Sequence, residues 1–272
     1  VNVVNGEVTV ERAYGRGPSG QMHVRIARPA KPTARPLVCF HMSPYSGALY
    51  DGFLPAMAED RIVLAPDTPG FGMSDPPRER PCIADYARAH AALIESLGHD
   101  SFDVLGYHTG ANIAVEIAAL FPNRVAHVAM IGAPLFTAEE TPQRRAMFGP
   151  VKIEEDGSHM PPLWTKSMRW GMEGRTKEML AALFHERLRR PDISWWGHSA
   201  VYDHPLAERM KLLHQPVALF NPHDDIQSFT ERGRALLKPS DRFLDLPGWS
   251  HGFLDLKTGE FVALMRGFLA AQ

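Results

Sequence analysis

Cysteine is scarce in this chain: Cys39 and Cys82 are the only two in 272 residues, and no CxxC pair exists. Neither a zinc knuckle nor a dithiol redox motif is therefore available. Two separate thiols are expected, one buried in LVCF and one at the surface, as suits a reducing compartment. Apolar runs are short, so no segment is expected to span a membrane. Blocks of like charge are missing and the formal net charge is −2, which removes the footprint of a nucleic-acid binder. The opening VNVVNGEVTVERAYG lacks a basic stretch leading into an apolar one, so no secretory signal is expected there. The chain begins at Val1, which leaves a processed leader open. Repeats and low-complexity tracts are absent as well. What remains is an ordinary globular composition, 44% hydrophobic and 22% charged. A cytoplasmic protein is expected, with a small molecule as its partner and neither nucleic acid nor membrane; a homodimer is left open.

The length suffices for one large α/β domain or two small ones. Two early stretches, EVTVER and MHVRIARP, alternate polar and apolar residues and read as an antiparallel pair. Four dense apolar runs follow: LVCFH (37–41), RIVLAP (61–66), FDVLGY (102–107) and VAHVAMIG (125–132). They barely alternate, as parallel strands covered on both faces do. Helical stretches separate them. ADYARAHAALIESLG (84–98) puts Tyr86, Ala89, Leu93, Ile94 and Leu97 on one stripe and stops at Gly98, and GANIAVEIAALFP stops at Pro122. Strands and helices in alternation predict a parallel sheet. Between about Pro134 and His214 the alternation lapses into a segment rich in Met, Trp, Arg and Pro. Such an insertion is too long for a plain loop and is expected to be a helical cap over the strand ends. Order resumes with PVALFN (216–221), TERGRALLK, DRFLDLP (241–247) and EFVALMRGFLAAQ. Residues 1–133 and 215–272 are thus assigned to a core domain and 134–214 to the cap.

GYHTG (106–110) lies where a strand runs into a helix. A sharp turn there needs small neighbours and a strained central residue, and it lifts one side chain clear of the sheet's carboxyl edge. The helix N-terminus adds free N–H groups and a positive dipole end, both suited to a developing negative charge. A serine is the side chain expected at such a corner. This chain has His108.

Five segments together resemble the α/β-hydrolase family, over most of the chain outside 134–214. GYHTG matches its nucleophile elbow, HMSPYSG (41–47) its HGxPxSG oxyanion loop with Met42 for the glycine, and APDTPGFGMSD (65–75) its D-x-P-G-x-G-x-S-D segment. FNPHDD (220–225) and PGWSHGFLD (247–255) match the late-strand acid and the terminal histidine, in the family's chain order. The resemblance implies the α/β-hydrolase fold: a mostly parallel eight-stranded sheet with flanking helices and an inserted helical cap. It also implies His251 as the base, Asp224 as the acid that orients it (Asp225 competing), and the backbone N–H groups of Ser43 and Thr109 as the oxyanion hole. No cofactor is implied. His108 in place of the nucleophile is the departure. Imidazole can attack a carbonyl, act as a general base, or donate a hydrogen bond.

Further candidates are weaker. His41 either orients the oxyanion loop or packs beneath its strand end, and Asp67 and Ser74 read as turn formers. Ser43, at a loop tip, is a poor nucleophile candidate because no elbow presents it. Met42, Tyr107 and Trp249 adjoin the motifs and are candidate pocket residues. Trp164, Trp170, Trp195, Trp196, His198 and Tyr202 belong to the cap, and two or three of these six are expected to reach substrate. His108, His251 and Asp224 suit zinc by type but form no local spacing motif, so no metal is expected. The leading expectation is a cofactor-independent hydrolase of a small, moderately apolar ester, lactone or ketone-activated C–C bond. A lyase or isomerase using His108 for proton transfer, and a binding protein without turnover, stand as the alternatives.

Overall fold

The structure is a computed structural model that describes residues 2–4 and 8–270. Among these, nine strands form one sheet: β1 (Asn2–Val4), β2 (Val8–Gly17), β3 (Gly20–Pro29), β4 (Leu37–Phe40), β5 (Val63–Pro66), β6 (Phe102–Tyr107), β7 (Val125–Ile131), β8 (Val217–Pro222) and β9 (Arg242–Leu246). Their order across the sheet is β1-β2-β3-β5-β4-β6-β7-β8-β9. Pairing is antiparallel from β1 through β3 to β5 and parallel from β5 onward. Eight of these strands correspond to the eight read from the sequence. The ninth, β1, is a three-residue edge strand, too short to carry an alternating pattern.

The dense apolar runs are explained by burial on both faces. Along β4, Val38 and Phe40 enter one core while Leu37 and Cys39 enter the other. Along β6, Phe102 and Val104 face the first core and Leu105 and Tyr107 the second. The first core is closed by the helices Ile83–Ser96 and Thr109–Leu120, the second by Phe53–Met57, Phe253–Leu256 and Thr258–Leu269. Phe261 is fully buried against Phe53, Phe220 and Phe253, with ring centroids 5.1–5.5 Å away. Truncating such a side chain costs about 3–5 kcal/mol. The helix Ile83–Ser96 starts with the Asp85 carboxylate accepting from the Cys82 N–H at 3.0 Å, and stops where Gly98 takes φ +83°.

Between β7 and β8 lie the helices Thr141–Ala146, Met160–Met168, Lys177–Arg189, Trp196–Tyr202 and Leu206–Met210, none of which adds a strand to the sheet. Two ties anchor this segment to loops at the strand ends. The His251 N–H donates to the Trp170 carbonyl (3.1 Å) and the Met172 N–H to the His251 carbonyl (3.0 Å), while Ser46 Oγ donates to Glu186 at 3.1 Å. Cys39 is buried and Cys82 exposed, both as free thiols. Among the described residues no helix is long and apolar enough to cross a membrane.

Candidate active site

β6 ends at Tyr107 and a helix begins at Thr109, so His108 occupies the corner alone. Its backbone has φ 48° and ψ −103°, the one positive φ outside glycine among the described residues. A conformation of this kind costs about 1–3 kcal/mol and persists only where its surroundings hold it. Here the His108 N–H donates to the Ile131 carbonyl at 3.0 Å, and the His108 carbonyl accepts from the Ala111 N–H at 2.9 Å. The flanking glycines are steric necessities. A Cβ on Gly106 would run into the Gly110 carbonyl, and one on Gly110 into the Phe40 carbonyl.

Two imidazoles meet two carboxylates at this corner. His108 Nε2 lies 2.8 Å from Asp224 Oδ2, whose other oxygen accepts the Ile226 N–H at 3.0 Å. His251 Nε2 lies 3.0 Å from Asp225 Oδ1, and its Nδ1 lies 3.1 Å from the Tyr107 hydroxyl. The rings of His108 and His251 stand edge to face with centroids 5.6 Å apart. This geometry corrects the expected partnership: Asp224 holds His108, and Asp225 holds His251. The reason is reach. An imidazole extends beyond where a serine hydroxyl would end, so His108 contacts the buried acid directly and leaves the neighbouring acid for His251. Because a carboxylate only accepts, the His108 proton sits on Nε2, and Nδ1 makes no hydrogen bond to a described residue. Both nitrogens of His251 are taken.

Burial alone would push the His108 imidazole down, but the adjacent Asp224 charge, its hydrogen bond, and the Asp225 charge outweigh this, and the net shift is upward. Burial opposes ionisation of Asp225 too, yet the His251 hydrogen bond and the charges of both histidines hold it well below the usual carboxylate range. Burial, then the charges of Asp224 and Asp225, raise the Tyr107 phenol, which stays protonated. The Tyr107 phenol therefore donates to His251 Nδ1, and the His251 Nε2–H donates to Asp225.

The Ser43 N–H points at Thr109 Oγ1 over 3.4 Å, which brings the two residues expected to form the oxyanion hole side by side. For the Ser43 N–H to hold an oxyanion, the threonine hydroxyl must turn aside. The Thr109 N–H, at the first position of its helix, has no carbonyl four residues earlier in that helix to bond. Ser43 Oγ bonds neither imidazole and lies against Gly197. His41 is buried below the loop; its Nδ1–H donates to the Met42 carbonyl (3.1 Å) and its Nε2 accepts the Thr68 N–H (2.9 Å). Burial lowers its pKa, so it ties two loops together as a neutral ring. Asp67 is a fully buried knot that accepts from the N–H groups of Gly47 (2.8 Å) and Met73 (2.9 Å), and Ser74 Oγ donates to its carbonyl.

A cavity of about 400 Å³ opens over His108, lined also by Ser43, Thr109, Asp225 and His251. Of the residues expected in the pocket, Met42, His198 and Tyr202 line it, as does Trp170. The others do not, each for a visible reason. Tyr107 lies behind His251, and His41 beneath the loop. Trp164 packs edge-on against Phe184, and Trp249 against Phe253. Trp195 donates to the Asp192 carbonyl under Arg80, and Trp196 opens its helix half-buried outside the lining. Several arginines and one lysine of the same segment also line the cavity. Sequence reading missed them, although the segment's richness in Arg was visible. His108, Asp224 and Asp225 place ligand atoms within 4.8 Å of one another, so Asp225 replaces His251 in the set a cation could use. A metal needs an unprotonated nitrogen, which the raised His108 pKa works against.

Residues 35–153 match a family model described as the alpha/beta hydrolase fold. A 2-hydroxymuconate semialdehyde hydrolase from a Pseudomonas species is 35% identical over 85 residues, 29% of each chain. A soluble epoxide hydrolase from a Corynebacterium species is 34% identical over 83 residues, 30% of this chain and 29% of that one. Matches of this kind span only 25% to 35% of the curated relatives' length. An enol-lactonase from Burkholderia xenovorans superposes with TM-score 0.80 at 18% identity, over 95% of this chain and 100% of that one. With this sheet order, this elbow and these matches, the chain has the α/β-hydrolase fold.

Proposed function

We propose that the protein is a cofactor-independent hydrolase of a small carbonyl compound, an ester, a lactone or a C–C bond beside a ketone. In this reading His108 works as a general base held by Asp224. The observation that carries it is the 2.8 Å contact between His108 Nε2 and Asp224, which leaves Nδ1 as the working nitrogen on a ring lining the cavity. Nδ1 takes a proton from water, the hydroxide oxygen adds to the carbonyl carbon, and the bond to the leaving group breaks. The departing atom receives the proton back from His108, so the base returns to its starting state. Charge on the carbonyl oxygen is met by the N–H groups of Ser43 and Thr109. Asp225, fixed by His251, adds a second negative charge that keeps His108 basic. A covalent role for His108 is less favoured, since Nδ1 is the nitrogen next to the side-chain branch and is more crowded for acylation. Residues 134–214 act as the cap over this site. The relatives named for semialdehyde and enol-lactone hydrolysis support a carbonyl substrate.

Turnover in 18O-water on panels of esters, lactones and β-diketones tests the reading. One 18O atom in the acid product is expected, with a loss of ~100-fold or more in His108→Ala. Product free of solvent oxygen would instead assign the same Asp224–His108 pair to proton transfer in a lyase or isomerase. Residual activity untouched by His108→Ala would leave a binding protein.

A further inference from the structure

The cap side of the cavity is lined by five fixed cations: Arg144, Lys166, Arg169, Arg175 and Arg187. Among the described residues none of them has a carboxylate within ion-pair distance. Their neighbours in sequence are different. Arg145 pairs with Asp203 at 2.6 Å, Arg189 with Glu186 at 3.3 Å and Arg190 with Asp192 at 3.2 Å, all away from the cavity lining. So these three outward-facing arginines are neutralised, and the five cations on the cavity are not.

What the inward cations touch is aromatic or neutral. Arg144 lies over Phe229 (4.5 Å) and Arg187 over Tyr45 (5.5 Å), while the Lys166 ammonium sits 4.0 Å from the Phe148 ring centroid. Arg175 donates only to the Ser167 carbonyl, at 3.4 Å. The Arg187 Nε is buried with no hydrogen-bond partner. Burial and then the Arg187 charge lower the Lys166 pKa. His198 is pushed down to about 3 by burial and the same two cations, so it is a neutral wall rather than a sixth charge. Asp225 is the one acid lining the cavity among the described residues, and His251 already holds it. Arg144, Arg175 and Arg187 are half-buried while Lys166 and Arg169 are more exposed. Like charges gathered on one cavity without counterions raise the energy of the free protein, and an anion seated among them relieves it. Guanidinium forks suit carboxylate and phosphate oxygens alike.

We propose that the substrate of this site is an anion: a small carbonyl compound carrying a carboxylate or phosphate that seats among Lys166, Arg187 and the neighbouring arginines, with the reacting carbonyl over His108. This rests on the hydrolase reading for the reaction, but not for the binding. It replaces the moderately apolar substrate expected from the sequence with a charged one whose apolar part lies on Phe136, Phe148 and Tyr202.

Calorimetric titration with benzoate, phenylphosphonate and the neutral benzamide tests it without turnover. At least one anion is expected to bind ten times or more tighter than benzamide, and the better of the two identifies the oxyanion. The preference is expected to weaken with added salt and to vanish in Lys166→Met/Arg187→Met, with circular dichroism reporting the fold. If that double variant fails to fold, Lys166→Gln is expected to cut anion affinity at least threefold. Equal or tighter binding of benzamide, a preference that survives loss of the charges, or no binding of either anion at millimolar concentration would overturn the proposal. Anion binding without hydrolysis of any anionic ester would sink the hydrolase reading and leave this one standing.

Discussion

Asp224→Asn removes one negative charge and almost no volume, and it strikes the pair on which the proposed chemistry depends. With nitrogen and oxygen 2.8 Å apart, the charges of imidazolium and carboxylate are centred about 4 Å from each other and attract by about 4 kcal/mol at an effective dielectric near 20. Asparagine can still accept the Ile226 N–H through its carbonyl oxygen. Its amide would then face His108 Nε2 as a donor and force the ring proton to Nδ1, where the free lone pair is needed. A loss of ~10²- to 10⁴-fold in kcat/KM follows, or about 2.7–5.5 kcal/mol in the barrier, the same scale as the lost attraction. The pH profile carries a second signature. The base works when neutral, so activity rises with pH through the His108 pKa, which Asp224 helps to raise. Removing the carboxylate lowers that pKa, and the acid limb moves to lower pH even as the plateau falls. Rates measured from pH 5 to 9 on whichever substrate responds, with wild type and variant side by side, decide the matter. A variant with an unchanged plateau and an unmoved acid limb would refute the Asp224–His108 partnership.

Asp225→Asn is expected to shift the acid limb the same way but less, with about a tenfold loss in kcat/KM, because Asp225 acts on His108 only through space; pH–rate profiles check it. Gly110→Ala sets a Cβ against the Phe40 carbonyl, in backbone that cannot swing aside, and urea unfolding is expected to show a loss of about 2–4 kcal/mol. Serine-directed phosphonates are expected to label neither residue 108 nor Ser43, read by intact mass; stoichiometric modification of Ser43 would move the nucleophile to that hydroxyl.

The fold was legible where geometry dictates residue type. Gly106 and Gly110 are fixed by close approach of backbone, so the elbow could be read from GYHTG at its place between the run FDVLGY and a helix. LVCF and FDVLGY announced strands covered on both faces because each residue must fit one core or the other. Partnerships of charge were less legible. Asp224 and Asp225 are adjacent on one loop yet serve different rings, and which serves which depends on how far an imidazole reaches at the corner. The second bond of His251, to Tyr107, crosses 144 residues and left no local trace. Within residues 134–214, Trp164 and Trp195 look like pocket residues in sequence, but the first packs on Phe184 and the second bonds the Asp192 carbonyl under Arg80. Arg144 and Arg187, which face the cavity, sit a residue or two from the paired Arg145 and Arg189, so composition showed the charges without showing their direction.

Nitrogen-15 NMR of the His108 ring is the most direct test of the central claim, that a carboxylate-held imidazole is the working base. The expected spectrum has the proton on Nε2, a bare Nδ1, and a titration above that of an ordinary imidazole, moving downward in Asp224→Asn. A proton on Nδ1, or a titration at or below the ordinary value that Asp224→Asn leaves in place, would contradict it.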